Sequence, residues 1–159
     1  DVEQETLAGY QRIVNVNQIG AWLGMKAAVP QLRAAGGGVI VNVSSIYGAV
    51  GGTGGSIAYH AAKGALRQMT KSAAIRYAPE NIRVIAVNPG FIETPMVAPL
   101  LAGEGSKPSG LYTFVLEHTP LARLGRPEEV ANVIAFVASD EASYMTGSDV
   151  YVDGGYTAA

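Results

Sequence analysis

The sequence predicts an α/β fold built on a parallel sheet, and three stretches carry that prediction. Gly36-Gly37-Gly38-Val39-Ile40-Val41-Asn42-Val43-Ser44-Ser45 is a glycine turn followed by a short, apolar, β-branched run. It reads as a strand buried on both faces, with two serines emerging at its carboxyl end. Asn81-Ile82-Arg83-Val84-Ile85-Ala86-Val87-Asn88-Pro89-Gly90 reads as a second such strand, closed by Pro-Gly. Between them, Ser56 to Ala78 carries a helical pattern with Ala62, Leu66, Met69, Ala73 and Tyr77 toward one side. Strand, helix, strand is a βαβ unit whose crossover should be right-handed.

The flanking segments fit the same plan. Glu3 to Leu32 reads as one long helix, with Leu7, Tyr10, Ile13, Val14, Asn17 and Ala21 near one face. After Thr94 the chain turns irregular, and residues 95–118 mix Pro, Gly and apolar side chains in the manner of a lid. Arg126-Pro127-Glu128-Glu129 opens a helix, since an early proline and first-turn acids both suit a helix amino terminus. Its buried stripe is Val130, Val133, Ile134 and Val137. Ser148 to Asp153 reads as a final edge strand, closed by Gly154-Gly155.

Composition narrows the function classes. A chain of 159 residues suits one domain. A net charge of −2 with no Lys/Arg cluster argues against nucleic acid as a partner. The lack of cysteine removes disulfides and thiolate metal sites, and His60 and His118 are too isolated to make a metal centre. No apolar run approaches the length of a membrane span, and no signal-peptide pattern opens the chain. A cytoplasmic protein is the expectation.

The chemistry concentrates in Ala58-Tyr59-His60-Ala61-Ala62-Lys63. Tyr-x-x-x-Lys on a helix puts a phenol and an ammonium on one face. A tyrosine loses its proton near pH ~10 and is a poor base at neutrality. A cation within about 4–6 Å favours the phenolate, which makes the pair a candidate general acid/base for a hydroxyl proton. In open parallel sheets ligands bind outside the carboxyl ends of the strands. Ser44, Ser45, Pro89, Gly90 and Thr94 fall at those ends, and Tyr59 lies near the start of the connecting helix. Strand alternation allows only one of the two serines to face that crevice. His60 follows Tyr59 but points about 100° away from it, and is expected at the surface or an interface.

Asn17, Ser45, Tyr59 and Lys63, followed by Asn88-Pro89-Gly90-Phe91-Ile92-Glu93-Thr94 and a tail of Arg126-Pro127-Glu128-Glu129-Val130, Thr146-Gly147 and Val152-Asp153-Gly154-Gly155, form an ordered set. It resembles the classical short-chain dehydrogenase/reductase family from end to end. The resemblance implies a Rossmann-like, doubly wound parallel sheet. It also implies that only the carboxyl-terminal portion of that fold is present over residues 1–159. The family's opening glycine-rich turn and its Asn-Asn-Ala-Gly motif do not occur here, and Asp1-Val2-Glu3 resembles the lead-in to the family's fourth helix. Such a partial sheet is expected to leave an edge and an apolar face uncovered.

Roles follow from the resemblance residue by residue. Tyr59 would exchange the hydroxyl proton, and Ser45 rather than Ser44 would position the substrate oxygen. Lys63 would tune the phenol and hold the nicotinamide ribose. Asn17, within Val16-Asn17-Gln18-Ile19-Gly20, would kink its helix and hold a water in a proton path. Tyr59, Lys63, Pro89, Gly90, Ile92 and Thr94 would meet the cofactor, NAD or NADP, a choice these residues leave open. Tyr47, Val50, Met96, Val97, Leu100 and Leu101 would line an apolar substrate pocket. Gly51-Gly52-Thr53-Gly54-Gly55 is a lengthened loop relative to many members. The implied reaction is hydride transfer between a small alcohol or ketone and the nicotinamide, in a homo-oligomer, dimer or tetramer. This chain by itself is expected to be inactive. A folded, non-catalytic oligomerisation piece and an epimerase or dehydratase of the same family are the alternatives.

Overall fold

The computed structural model describes residues 2–52, 54–95, 97 and 109–158. Thr6 opens the first helix by accepting from the Gly9 amide at 3.1 Å, which satisfies a donor the first turn leaves free. The helix therefore begins at Leu7, a turn later than Glu3. Helix α1 is Leu7–Val14; it widens into a π-helical turn over Asn15–Ile19 and continues as α2, Gly20–Ala34. Strand β1 is Gly38–Val43, helix α3 is Ile57–Tyr77 and strand β2 is Ile82–Pro89. Helix α4, Gly110–His118, and helix α5, Pro127–Ala138, precede strand β3, Asp149–Val152. Among the described residues no helix is long and apolar enough to cross a membrane.

The three strands pair in parallel in the order β1-β2-β3. Alternation along β2 sends its side chains into two separate cores. Ile82 and Val84 pack with Met25 and Val29 of α2 and Ala74 of α3. Ile85 and Val87 pack on the other face with Val137 of α5, flanked by Val130, Val133 and Ile134. Helices thus cover both faces, the doubly wound arrangement the sequence predicts.

Burial on both faces holds for β2 but not for β1. Residues 82 and 84–88 are buried, whereas in β1 only Asn42 is buried and Val43 is 46% exposed. The difference follows position: among the described residues β2 has a strand on each side, and β1 is hydrogen-bonded to β2 alone. The apolar face expected on the first helix is likewise uncovered at its start, where Leu7 is 81% exposed. Two buried polar side chains are paired between β1 and α3: Asn42 donates to Thr70 Oγ1 at 2.8 Å, and Thr70 donates to the Leu66 carbonyl at 2.9 Å.

Candidate active site

The strand end that leaves β1 separates the two serines. Ser44 Oγ donates to the Lys63 carbonyl at 3.0 Å and so faces the backbone of α3. Ser45 turns the other way, accepts from the Tyr47 amide at 3.2 Å and caps the short 3-10 turn Ile46–Gly48. That turn lies close on α3. A Cβ at Gly48 would approach the Lys63 carbonyl carbon to 2.7 Å. Arg67 secures the same turn by donating to the Gly48 carbonyl at 2.6 Å, and it also binds Asp149 of β3 through two donors at 2.8 and 3.0 Å.

Ser45 and Tyr59 line one cavity of about 390 Å³, together with Asn17, Tyr47, Gly90, Phe91, Val97 and Leu111. Its walls are mostly apolar. Burial pushes the Tyr59 phenol above its ordinary value, and a hydrogen bond with Ser45 pulls the other way without overcoming it. Lys63 sits behind, 5.6 Å from the centre of the Tyr59 ring. Its ammonium donates to the Val43 carbonyl at 3.0 Å and borders a second cavity along the open side of β1 with Val16, Asn42 and Val43. Burial holds the Lys63 amine below its ordinary value.

Asn17 borders both cavities. It lies in the middle of the π turn and donates to the Ile13 carbonyl at 3.1 Å. The helix widens here by one turn, a distortion that recurs at functional sites.

At the end of β2, the Gly90 amide donates to the Val152 carbonyl at 3.0 Å. The 91–93 segment pairs with Gly125, whose amide donates to the Phe91 carbonyl at 2.9 Å and whose carbonyl accepts from Glu93 at 2.8 Å. This pairing fixes buried Ile92 and the approach to Thr94. Thr94 Oγ1 is buried with no hydrogen-bond partner among the described residues. A buried hydroxyl left unpaired is an open position for a polar ligand group.

Val50 is not among the residues that line the cavity holding Ser45 and Tyr59; its amide donates to the Ile46 carbonyl at 3.0 Å. His60, expected at the surface or an interface, is not fully exposed. It is half-buried, with its ring stacked on Tyr47 at 4.6 Å. Of the lid residues named from sequence, Val97 lines the cavity, and Met96, Leu100 and Leu101 lie outside the described residues. Sequence reasoning missed Phe91 and Leu111, which line the same cavity, and the Arg67–Asp149 tie. Phe91 was legible as the residue after Pro-Gly. The Arg67–Asp149 pair joins residues too far apart in sequence to carry a local pattern.

The chain is similar to known proteins along nearly its whole length. A family model described as enoyl-(acyl carrier protein) reductase matches residues 1–157. Cis-4-hydroxycyclohexanecarboxylate dehydrogenase of Sinomonas cyclohexanicum is 46% identical over 152 residues, covering 96% of this chain and 58% of that protein. Cyclohexanol dehydrogenase of Acinetobacter sp. (strain SE19) is 42% identical over 155 residues, covering 98% of this chain and 57% of that protein. A solved structure of a 4-hydroxyisoleucine dehydrogenase mutant complexed with NADH and succinate superposes with a TM-score of 0.91 at 26% identity, covering 99% of this chain and 63% of that one. The chain therefore spans a little over half the length of the curated relatives it matches.

Proposed function

The chain belongs to the short-chain dehydrogenase/reductase family, and from that premise we propose that the protein carrying it oxidises a small alicyclic secondary alcohol to its ketone, reversibly, with a nicotinamide dinucleotide. The observation that carries the reading is the meeting of Tyr59 and Ser45 at one apolar cavity with Lys63 behind the phenol. A cavity of about 390 Å³ suits a single ring better than a long chain. The two curated relatives described above are named for six-membered-ring alcohols.

When bound, the nicotinamide supplies the acceptor for the hydride that leaves the alcohol carbon. The chain's residues do the rest. Ser45 holds the substrate oxygen. Tyr59, as phenolate, takes the hydroxyl proton as the C–O bond becomes C=O. Lys63 supplies the cation that favours the phenolate, and Asn17, at the boundary of both cavities, is suited to pass the proton onward. Lys63, Tyr59, Pro89, Gly90, Ile92 and Thr94 are the residues that would hold the nicotinamide end, which NAD and NADP share. The unpaired Thr94 hydroxyl supports that fit. A homo-oligomer fits the groove of about 400 Å³ between α2 and α3, beside Trp22 at 46% exposed.

The test is Tyr59→Phe in the full-length protein. Turnover of cyclohexanol should fall by roughly 10²–10⁴-fold, and cofactor affinity, read by fluorescence titration, should stay nearly constant. Equal turnover in the variant overturns the reading.

A further inference from the structure

Gly52, Gly54 and the residue after Tyr59 share a purpose that the hydride-transfer chemistry does not use. Tyr47 is 7% exposed, and its ring forms a wall of the cavity that holds Ser45 and Tyr59. Two aromatic rings pack against it. His60 stacks on it at 4.6 Å with the planes 30° apart, and Phe91 meets it edge-on at 6.0 Å. A Cβ at Gly52 would overlap the ring, and a Cβ at Gly54 would overlap the phenol oxygen. The glycines are therefore needed for close approach, since any side chain at either position would displace the ring.

His60 is pinned in turn. Its Nδ1 lies 3.0 Å from the Ser56 carbonyl, which can only accept, so Nδ1 carries the proton. Its Nε2 is buried with no partner among the described residues. The contact that remains to its side chain is the stack on Tyr47.

We propose that Tyr47 is the specificity-determining residue that sets the size of the substrate cavity, and that His60 is a positioning residue that holds Tyr47 through ring stacking. The inference rests on the alicyclic-alcohol reading for its choice of substrates. A fixed aromatic wall in the cavity that holds Ser45 and Tyr59 limits the alcohol to one ring. Polycyclic alcohols are refused by overlap with Tyr47 rather than by any polar mismatch.

The experiment compares cyclohexanol with the secondary adamantanol as substrates of the full-length protein. Tyr47→Ala and the milder Tyr47→Leu should each shift the kcat/KM ratio toward adamantanol by roughly tenfold or more. Tyr47→Phe, which keeps the ring, should leave the ratio near wild type. His60→Ala should raise KM for cyclohexanol with kcat little changed, and His60→Phe, which restores a stacking face, should recover most of the loss. A uniform loss on both alcohols in the two Tyr47 truncations overturns the cavity role, and His60→Phe behaving as His60→Ala overturns the stacking role. Should the wild-type protein oxidise neither alcohol with either cofactor, the oxidoreductase reading fails, and saturation-transfer NMR decides the wall separately. Tyr47→Leu gaining adamantanol signal relative to cyclohexanol then supports it, and an unchanged preference overturns it.

Discussion

Burial and a hydrogen bond act on the Tyr59 phenol in opposite directions, and burial prevails. The i, i+4 spacing conveys that Lys63 is near, but it carries no information about the dielectric that surrounds both groups. The lysine ammonium is turned to the Val43 carbonyl at 3.0 Å, and burial lowers it too. On the proposed mechanism it is Lys63 that supplies the field favouring the phenolate. Alcohol oxidation needs the phenolate, so kcat/KM should rise with pH through the Tyr59 ionisation. Removing the cation raises that pKa, and in Lys63→Met the rising limb should move to higher pH by roughly 1–3 units. A pH–rate profile of the full-length variant checks this. An unmoved limb with only KM changed would mean that Lys63 serves binding alone. The serines show the complementary case, in which strand alternation made the choice of one hydroxyl legible and the contacts of Ser44 and Ser45 sort them.

Helix α3 carries the candidate catalytic pair at its start, and its later turns bind the last strand. Arg67 and Lys71 both reach Asp149, at 2.8 and 3.2 Å, and Asn88 donates to the same carboxylate at 3.3 Å. Burial alone would raise the Asp149 carboxyl, but Arg67, then Lys71 and Asn88, pull it below the ordinary carboxylate range. Because its folded-state pKa is depressed, its contribution to stability is complete above the unfolded value. That contribution is lost as pH falls through the lowered one. Asp149→Asn should thus destabilise the full-length protein by on the order of 3 kcal/mol at neutral pH. The gap from wild type in denaturant melts should narrow as the solution is made acid. An equal gap at both ends of that range would assign the loss to packing rather than charge. None of this tie was legible beforehand, because it joins α3 to β3 across the intervening strand. Elements with a strong local pattern were legible: β2 from its apolar run, and α5 from Pro127 and the first-turn acids. The start of α1 was not, since Thr6 could cap a helix or sit within one, and only the hydrogen bond to Gly9 decides.

Among the described residues the molecule as a whole presents a sheet of three parallel strands in which β1 and β3 each pair with β2 alone. The order of motifs from Asn17 to Gly155 made the doubly wound plan legible, but burial at β1 depended on what lies beside it. Among the described residues β1 pairs only with β2, Val43 is 46% exposed, and Val16 is 69% exposed near the same opening. Unpaired backbone groups on an apolar edge are a template for another strand. The 159-residue polypeptide produced alone should therefore self-associate with rising concentration in sedimentation velocity, through this edge as well as through the α2–α3 groove. The two routes can be separated. Val43→Lys places a charge at the edge and should remove the larger, open-ended species while leaving a discrete oligomer. Trp22→Glu should do the reverse, removing the discrete species because it charges the wall of the groove. If Val43→Lys leaves the distribution of species as it was, β1 is not the associating edge. The exposed apolar side chains of α1 and α2 must then be the contact instead.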